Sequence, residues 1–189
     1  FVGSVLGEKG RLRRDQRDRV GNEDQFAQAW WQLGARWSLL AGARHSRVRF
    51  ASDDHYVSAA NPDDSGRRAY SATTPVAGLV FHAGDDLRLY ASAGRGFETP
   101  TFNELGYRAD GGAGLALGLN PALSRSHELG GKWRTQGGAR LELALFRADT
   151  DDELAVAANA GGRSSYRNIG ATRRQGAELG WLQPLGETQ

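Results

Sequence analysis

The chain has 189 residues and a formal net charge of +2, from 24 lysines and arginines set against 22 acids. Charge this small, with basic residues interspersed among acids over most of the chain, gives little support to a nucleic-acid partner, which needs a concentrated basic face, and the absence of cysteine removes disulfides, thiolate metal sites and cysteine nucleophiles. The 26 glycines and thinly spread Ala, Leu and Val argue against a large compact core, and no run approaches the roughly 18 apolar residues of a membrane-spanning helix, so any membrane role falls to strands.

In chain order, Phe1 opens abruptly in strand-like sequence with no initiator Met and no leader pattern, which reads as a piece of a longer protein with a partial strand at Phe1 to Leu6. Arg11, Arg13, Arg14, Arg17 and Arg19 follow, diluted by Asp15, Asp18, Glu23 and Asp24. They read as a solvated loop, with lipopolysaccharide phosphates or an anionic iron chelate as the alternative role. Period-two alternation bounded by Gly, Asp, Asn and Pro then predicts strands over Phe26 to Leu33, Trp37 to Phe50, Tyr70 to His82, Leu87 to Gly96, Ser126 to Arg134, Ala139 to Ala148 and Thr172 to Trp181.

The joins alternate strictly in length. Segments 34–36, 83–86 and 135–138 are tight turns, whereas 51–69, 97–125 and 149–171 are long loops. A soluble sandwich has no reason to sort loops by end, but an outer-membrane barrel does, with short periplasmic turns and long external loops. Alternation supports this reading: Leu141, Leu143 and Leu145 oppose Arg140, Glu142 and Ala144; Leu87 and Leu89 oppose Arg88 and Tyr90; Leu179 and Trp181 oppose Glu178 and Gly180. Trp30, Trp31, Trp37, Trp133 and Trp181 all adjoin the short turns, as an interfacial aromatic girdle would.

The run from Tyr90 through Arg95, Gly96, Phe97, Glu98, Pro100, Glu104 and Leu105 resembles the strand-to-loop segment of TonB-dependent receptors. Glu128, Gly130, Asn168, Gly176 and Glu178 continue the family's order and spacing. The resemblance covers the chain from about Phe26 and implies an all-β fold of antiparallel up-and-down strands in a transmembrane outer-membrane barrel. Seven or eight strands would be roughly a third of the ~22 in such a receptor, so residues 1–189 are expected to be a barrel fragment without plug domain, TonB box or final strands. It further implies location in the outer membrane of a Gram-negative bacterium, and import of a ferric siderophore or similar chelate. TonB, acting through the plug, outer-membrane lipid and lipopolysaccharide are the implied partners.

Within that frame Tyr56, Tyr107, Arg108, Arg163 and Tyr166 are candidate ligand-binding residues, chosen for loop position and for the stacking and bidentate pairing an anionic chelate would use. Asp149, Asp151, Asp152 and Glu153 read first as a solvated acidic loop and second as calcium ligands. Asn61 through Gly66 reads as turn chemistry, and Gly111 to Gly114 as a flexible loop. His45, His55, His82 and His127 lack metal-site spacing; His55, beside Tyr56, is the one placed for ligand contact. No catalytic motif, metal site or cofactor is expected. The alternatives are a passive porin, a receptor for cobalamin, haem or sugar, or a soluble β-rich binding module.

Overall fold

The computed structural model describes residues 6–8, 10–12, 14–112, 114–160 and 162–185. The partial strand expected at Phe1 to Leu6 falls almost wholly outside them, as do Arg13 and Ala113. Among the described residues lie strands β1 (Gln16–Leu33), β2 (Trp37–Asp54), β3 (Gly66–His82), β4 (Leu87–Glu98), β5 (Ala122–Arg134), β6 (Arg140–Asp151), β7 (Leu154–Ala160), β8 (Arg163–Asn168) and β9 (Thr172–Leu182), with one short helix, α1 (Phe102–Leu105). Seven strands form one antiparallel sheet in the order β1-β2-β3-β4-β5-β6-β9, and β7 and β8 pair as a separate hairpin. Among the described residues no helix is long and apolar enough to cross a membrane, which leaves strand crossing open.

At the short turns the strand ends match the sequence reading to within a residue, and Gly34 (φ 71°) and Gly138 (φ 80°) supply the left-handed backbone that two of these turns need. At the opposite end the strands run further than predicted. β1 begins at Gln16 instead of Phe26, and β2 ends at Asp54 instead of Phe50. Eighteen residues at ~3.3 Å each extend about 60 Å along the strand, well beyond the ~25 Å apolar band of a barrel. Beyond the band no lipid enforces an apolar face, so the alternation that reveals a strand disappears.

This corrects the placing of Arg17 and Arg19 in a loop. Both lie in β1, and Arg19 Nη1 meets Asp53 Oδ2 of β2 at 2.7 Å. The 149–171 segment is likewise not a plain loop, since it contains the β7–β8 hairpin. Within β3, pairing to β4 spans Val76 to His82 and stops at Pro75, which has no N–H to offer the ladder.

Because residues paired across antiparallel strands share a face, the register assigns every side chain on the sheet. One face carries the row Trp31, Leu39, Leu79, Ala91, Leu129, Leu145 and Ala177, and next to it Leu33, Trp37, Phe81, Leu89, Gly131, Leu143 and Leu179. Among the described residues nothing packs over these rows: Leu129 is 58% exposed and Leu179 72%. An apolar face this large calls for a covering surface, and opposite a polar face on the same strands it has the pattern of a barrel's lipid side.

The other face carries Tyr90, Glu128, Lys132, Glu142 and Glu178. Tyr90 Oη donates to Glu128 Oε1 at 2.6 Å, and Lys132 Nζ lies 3.3 Å from Glu142 Oε2. Gly130, paired with Tyr90, makes room for its ring: a Cβ there would stand 2.5 Å from Tyr90 Oη and 2.6 Å from the Leu143 carbonyl. Gly176 does the same for Phe146. These two motif glycines are thus sites of close side-chain approach. Trp30 pairs with Leu40 and shares this polar face, which removes it from the girdle; Trp31, Trp37, Trp133 and Trp181 keep the lipid side.

Two stability predictions follow from the register, both measured by refolding the full-length receptor into lipid vesicles. Leu143→Arg should lose about 2 to 4 kcal/mol, while Glu142→Gln, which breaks only an exposed pair, should change stability by less than about 1 kcal/mol. Equal effects would place 142 and 143 on equivalent surfaces. Gly130→Ala should destabilise by about 1 to 3 kcal/mol through overpacking against Tyr90 and the Leu143 carbonyl, whereas Gly180→Ala, whose added Cβ would meet only Glu142 Cβ at 3.8 Å, should be mild.

Candidate functional site

The long connections do not hang free; they fold together at the end of the sheet opposite the short turns. Thr101 caps α1, its Oγ1 accepting from Glu104 N at 3.4 Å while Glu104 Oε2 accepts from Thr101 N at 2.7 Å. This reciprocal box fixes one helical turn, whose i, i+3 spacing sends Phe102 and Leu105 to one side. Leu105 is fully buried in a cluster with Phe50, Tyr70, Ala116 and Leu119, against which Phe97, Phe102 and Tyr166 pack. Tyr70 Oη donates to the Leu119 carbonyl at 2.9 Å, tying the 99–121 connection to β3. Three motif residues, Pro100, Glu104 and Leu105, therefore serve to seat this loop, with Pro100 also fully buried.

Asn168, at the end of β8, joins the neighbouring connections. Its Oδ1 accepts from Asn120 N at 2.9 Å, and its Nδ2 donates to the carbonyls of Asn120 at 3.0 Å and Asp152 at 2.7 Å. Asp152 holds a left-handed backbone (φ 57°), a conformation short polar side chains tolerate. The 55–65 connection is organised by Asp54, whose carboxylate accepts from the backbone N–H of Tyr56 at 2.9 Å and of Asp64 at 3.2 Å. Asp63 accepts from Ser65 N at 2.8 Å, the turn chemistry expected of Asn61 through Gly66.

Of the five candidate ligand residues, the fold brings two together. Arg163 of β8 lies over the Tyr107 ring at 5.0 Å, and Arg14 approaches the same ring at 6.0 Å. Neither guanidinium has a carboxylate partner among the described residues, so both charges remain available to an anion. Arg108 is engaged with its neighbour: its Nε and Nη2 meet Asp110 at 3.0 and 2.5 Å, and that pairing, with the Gly112 N–H, lowers the Asp110 carboxyl to a pKa of about 2. Tyr166 is half-buried in β8 against the Leu105 cluster and acts as packing. Tyr56 sits apart in the 55–65 connection, its backbone held by Asp54.

The acidic run is divided among cations. Asp149 bridges Arg147 at 2.7 Å and Arg173 at 2.5 Å, Asp151 meets Arg125 at 2.5 Å, and Glu153 bonds Arg174 and the Thr172 hydroxyl. The Thr172 hydroxyl and then Arg174 hold the Glu153 carboxyl below its ordinary pKa. Among the described residues no three His, Asp or Glu side chains converge on a point where a metal could sit. His55 stands 4.0 Å from Asp15.

The role assigned to Asn168 is testable. Asn168→Ala removes three hydrogen bonds, each contributing about 1 kcal/mol net, so amide exchange around 115–120 and 152–170 should quicken while that of β4 to β6 stays unchanged. Unchanged exchange in both connections would show that the clamp does not hold them.

Comparison with known proteins agrees with this architecture. The family model described as TonB dependent receptor-like, beta-barrel matches residues 3–187. Among solved structures the chain is similar to the copper transporter OprC, with a TM-score of 0.75 and 20% identity over 90% of this chain and 27% of that one. It is similar also to the siderophore receptor PiuA from Acinetobacter baumannii (TM-score 0.69, 18% identity, 92% of this chain and 24% of that one). The ferric yersiniabactin uptake receptor FyuA from Yersinia pestis gives a TM-score of 0.68 at 20% identity, covering 91% of this chain and 25% of that one. The chain thus spans about a quarter of the length of these structures. An antiparallel sheet with one apolar exposed face, loops gathered at one end, and a family match over nearly its whole length establish that this chain belongs to the TonB-dependent receptor β-barrels.

Proposed function

We propose that this chain forms part of the barrel wall of an outer-membrane receptor that imports a ferric siderophore or similar anionic chelate, with energy delivered by TonB through a plug domain encoded elsewhere in the protein. Membership of the family supports TonB-dependent transport across the outer membrane of a Gram-negative bacterium. The solved relatives are named for copper, siderophores and ferric yersiniabactin, but at about 20% identity they speak for the fold alone. The ligand class therefore rests on this chain's own loops.

The observation that carries it is the grouping of Arg14, Tyr107 and Arg163 at the loop end. An aromatic ring flanked by two guanidiniums with no carboxylate partner offers stacking to a flat catecholate or bidentate donation to carboxylate and hydroxamate oxygens. The clamp at Asn168 and the cap at Thr101 hold the elements that carry Tyr107 and Arg163, so little ordering remains for binding. The residues of the structural motif lie in the framework beneath, which is why they and the ligand candidates form nearly separate sets.

In cells making the full-length receptor, Tyr107→Ala combined with Arg163→Gln should weaken binding of a ferric catecholate or ferric hydroxamate about tenfold, or ~1.4 kcal/mol, with the barrel still assembled. Single cysteines at Asp110 and Gln136, labelled with an impermeant reagent, report topology in the same cells. Labelling at 110 and protection at 136 is expected. Unimpaired binding of both chelates would remove this group from the site, and the reverse labelling would invert the barrel.

A further inference from the structure

Trp30 is the tryptophan that the register takes away from the lipid side, and it stands 62% exposed on the inward face. An indole facing the lumen costs free energy unless something stacks on it. The wall beside it is hollow. Trp30 pairs with Leu40, Leu40 with Gly78, Gly78 with Ser92 and Ser92 with Glu128, so one row across five strands has large side chains at its ends and small ones between. Gly78 and Ser92 form the floor of a cavity of about 540 Å³, with Trp30 and Leu40 at one side and Glu128 and Lys132 at the other. Five strands at a spacing of ~4.8 Å make it about 19 Å wide, far more than a single side chain fills.

Its charges are unevenly engaged. Glu128 accepts from the Tyr90 hydroxyl at 2.6 Å, and Lys132 meets Glu142 at 3.3 Å. Arg88, at the short-turn margin of the cavity, is the cross-strand partner of both His82 and Lys132 and has no carboxylate partner among the described residues. A guanidinium set opposite another cation is destabilising until an anion joins them. Toward the loop end Gly94 pairs with Ser126 and Gly96 with Ser124. With Ser92 these small residues line a furrow on β4 and β5 that leads about 13 Å from the cavity toward the end where the loops gather.

We infer that this cavity is an internal transit site for an aryl-bearing anion of the ferric catecholate class, its ring against Trp30 and its anionic oxygens toward Arg88. The inference rests on the transport reading above and narrows the chelate class, because a hydroxamate has no ring to offer the indole. Size, ring and charge agree: the width takes a whole chelate, the indole offers a flat apolar face, and the guanidinium donates two parallel N–H bonds to paired oxygens. The furrow joins this site to the loop end, so a ligand first met by Tyr107 and Arg163 finds a second aromatic and a second cation further in. The place of Trp30 off the lipid face thereby acquires a reason.

The test has two arms, both on the full-length receptor. In detergent, tryptophan emission is titrated with 2,3-dihydroxybenzoate, and the Trp30→Phe receptor is the blank. The parent should show a saturable quenching component that the blank lacks. Arg88→Gln should weaken it about fivefold or more, and Tyr107→Ala with Arg163→Gln should leave it unchanged. In cells, Trp30→Ala with Arg88→Gln should bind a ferric tris-catecholate at the surface to within about twofold of the parent, yet import it about tenfold more slowly at saturation. Trp30→Phe with Arg88→Lys, which keeps ring and charge, should recover most of that rate. Quenching indifferent to Arg88→Gln, quenching lost with Tyr107 and Arg163, or import by the double variant at the parent rate would overturn the inference and leave the transport reading standing. Trp30 emission that the probe never reaches would give this surface to the plug and overturn it equally. Where the double variant fails to assemble, the quenching arm decides alone. A parent that imports neither a ferric catecholate nor a ferric hydroxamate would overturn the transport reading and the inference with it.

Discussion

A peptide group in hydrocarbon must find its hydrogen-bond partner within the protein, and this requirement governs the rest of the molecule. Between neighbouring strands from β1 to β9 the sheet meets it with ladders that show no register shift, the β3–β4 ladder ending at Val76 beside Pro75. Register then decides everything downstream, since a slip of one residue would carry Leu143 to the water side and Glu142 to lipid. Gly130 and Gly176 belong to the same constraint: each lets a large ring on the neighbouring strand lie flat on the inward face without disturbing the ladder.

The ends of the sheet are released from that constraint and diverge. Near the short turns tryptophans and leucines meet the interface, and the chain reverses in three to five residues. At the far end the strands leave the apolar band, and polar pairs such as Arg19 with Asp53 and Arg49 with Glu23 hold them instead. There the only buried apolar cluster of the described residues forms, around Leu105, beneath loops that α1 and Asn168 secure. The secured loops and the β7–β8 hairpin thus hold Tyr107 and Arg163 at a defined place at the loop end, as the proposed ligand role requires.

How much of this was legible depended on whether lipid enforced a pattern. Where one face meets hydrocarbon, alternation is obligatory, so the turn-side ends of the strands at Leu87, Arg140 and Thr172 are legible to within a residue, while their far ends are not. Gln16 to Gln25 is exposed along nearly its whole length, and Gly66 to Ala69 lies beside Leu117 of the 99–121 connection rather than lipid, so neither carries such a signature. Trp30 was misplaced because proximity to a turn was read without parity: adjacent residues of a strand face opposite ways, so Trp30 and Trp31 cannot both lie in the girdle. The β7–β8 hairpin escaped for lack of length, though Leu154, Val156 and the left-handed Gly162 were its signal. Tyr107 and Arg163 could be chosen by chemistry, but their meeting, and Arg14's approach, depend on loops packing across the sheet, which no local pattern encodes.

The central claim is that one face of this sheet meets lipid and the other meets water, and a nitroxide scan along β6 of the full-length receptor in bilayers tests it most directly. Labels at Leu141, Leu143 and Leu145 should be relaxed preferentially by oxygen dissolved in the hydrocarbon, and labels at Glu142, Ala144 and Phe146 should be shielded from it, giving a period of two. Accessibility to a water-soluble nickel chelate that is uniform along 141–146, or highest at the three leucines, would contradict it.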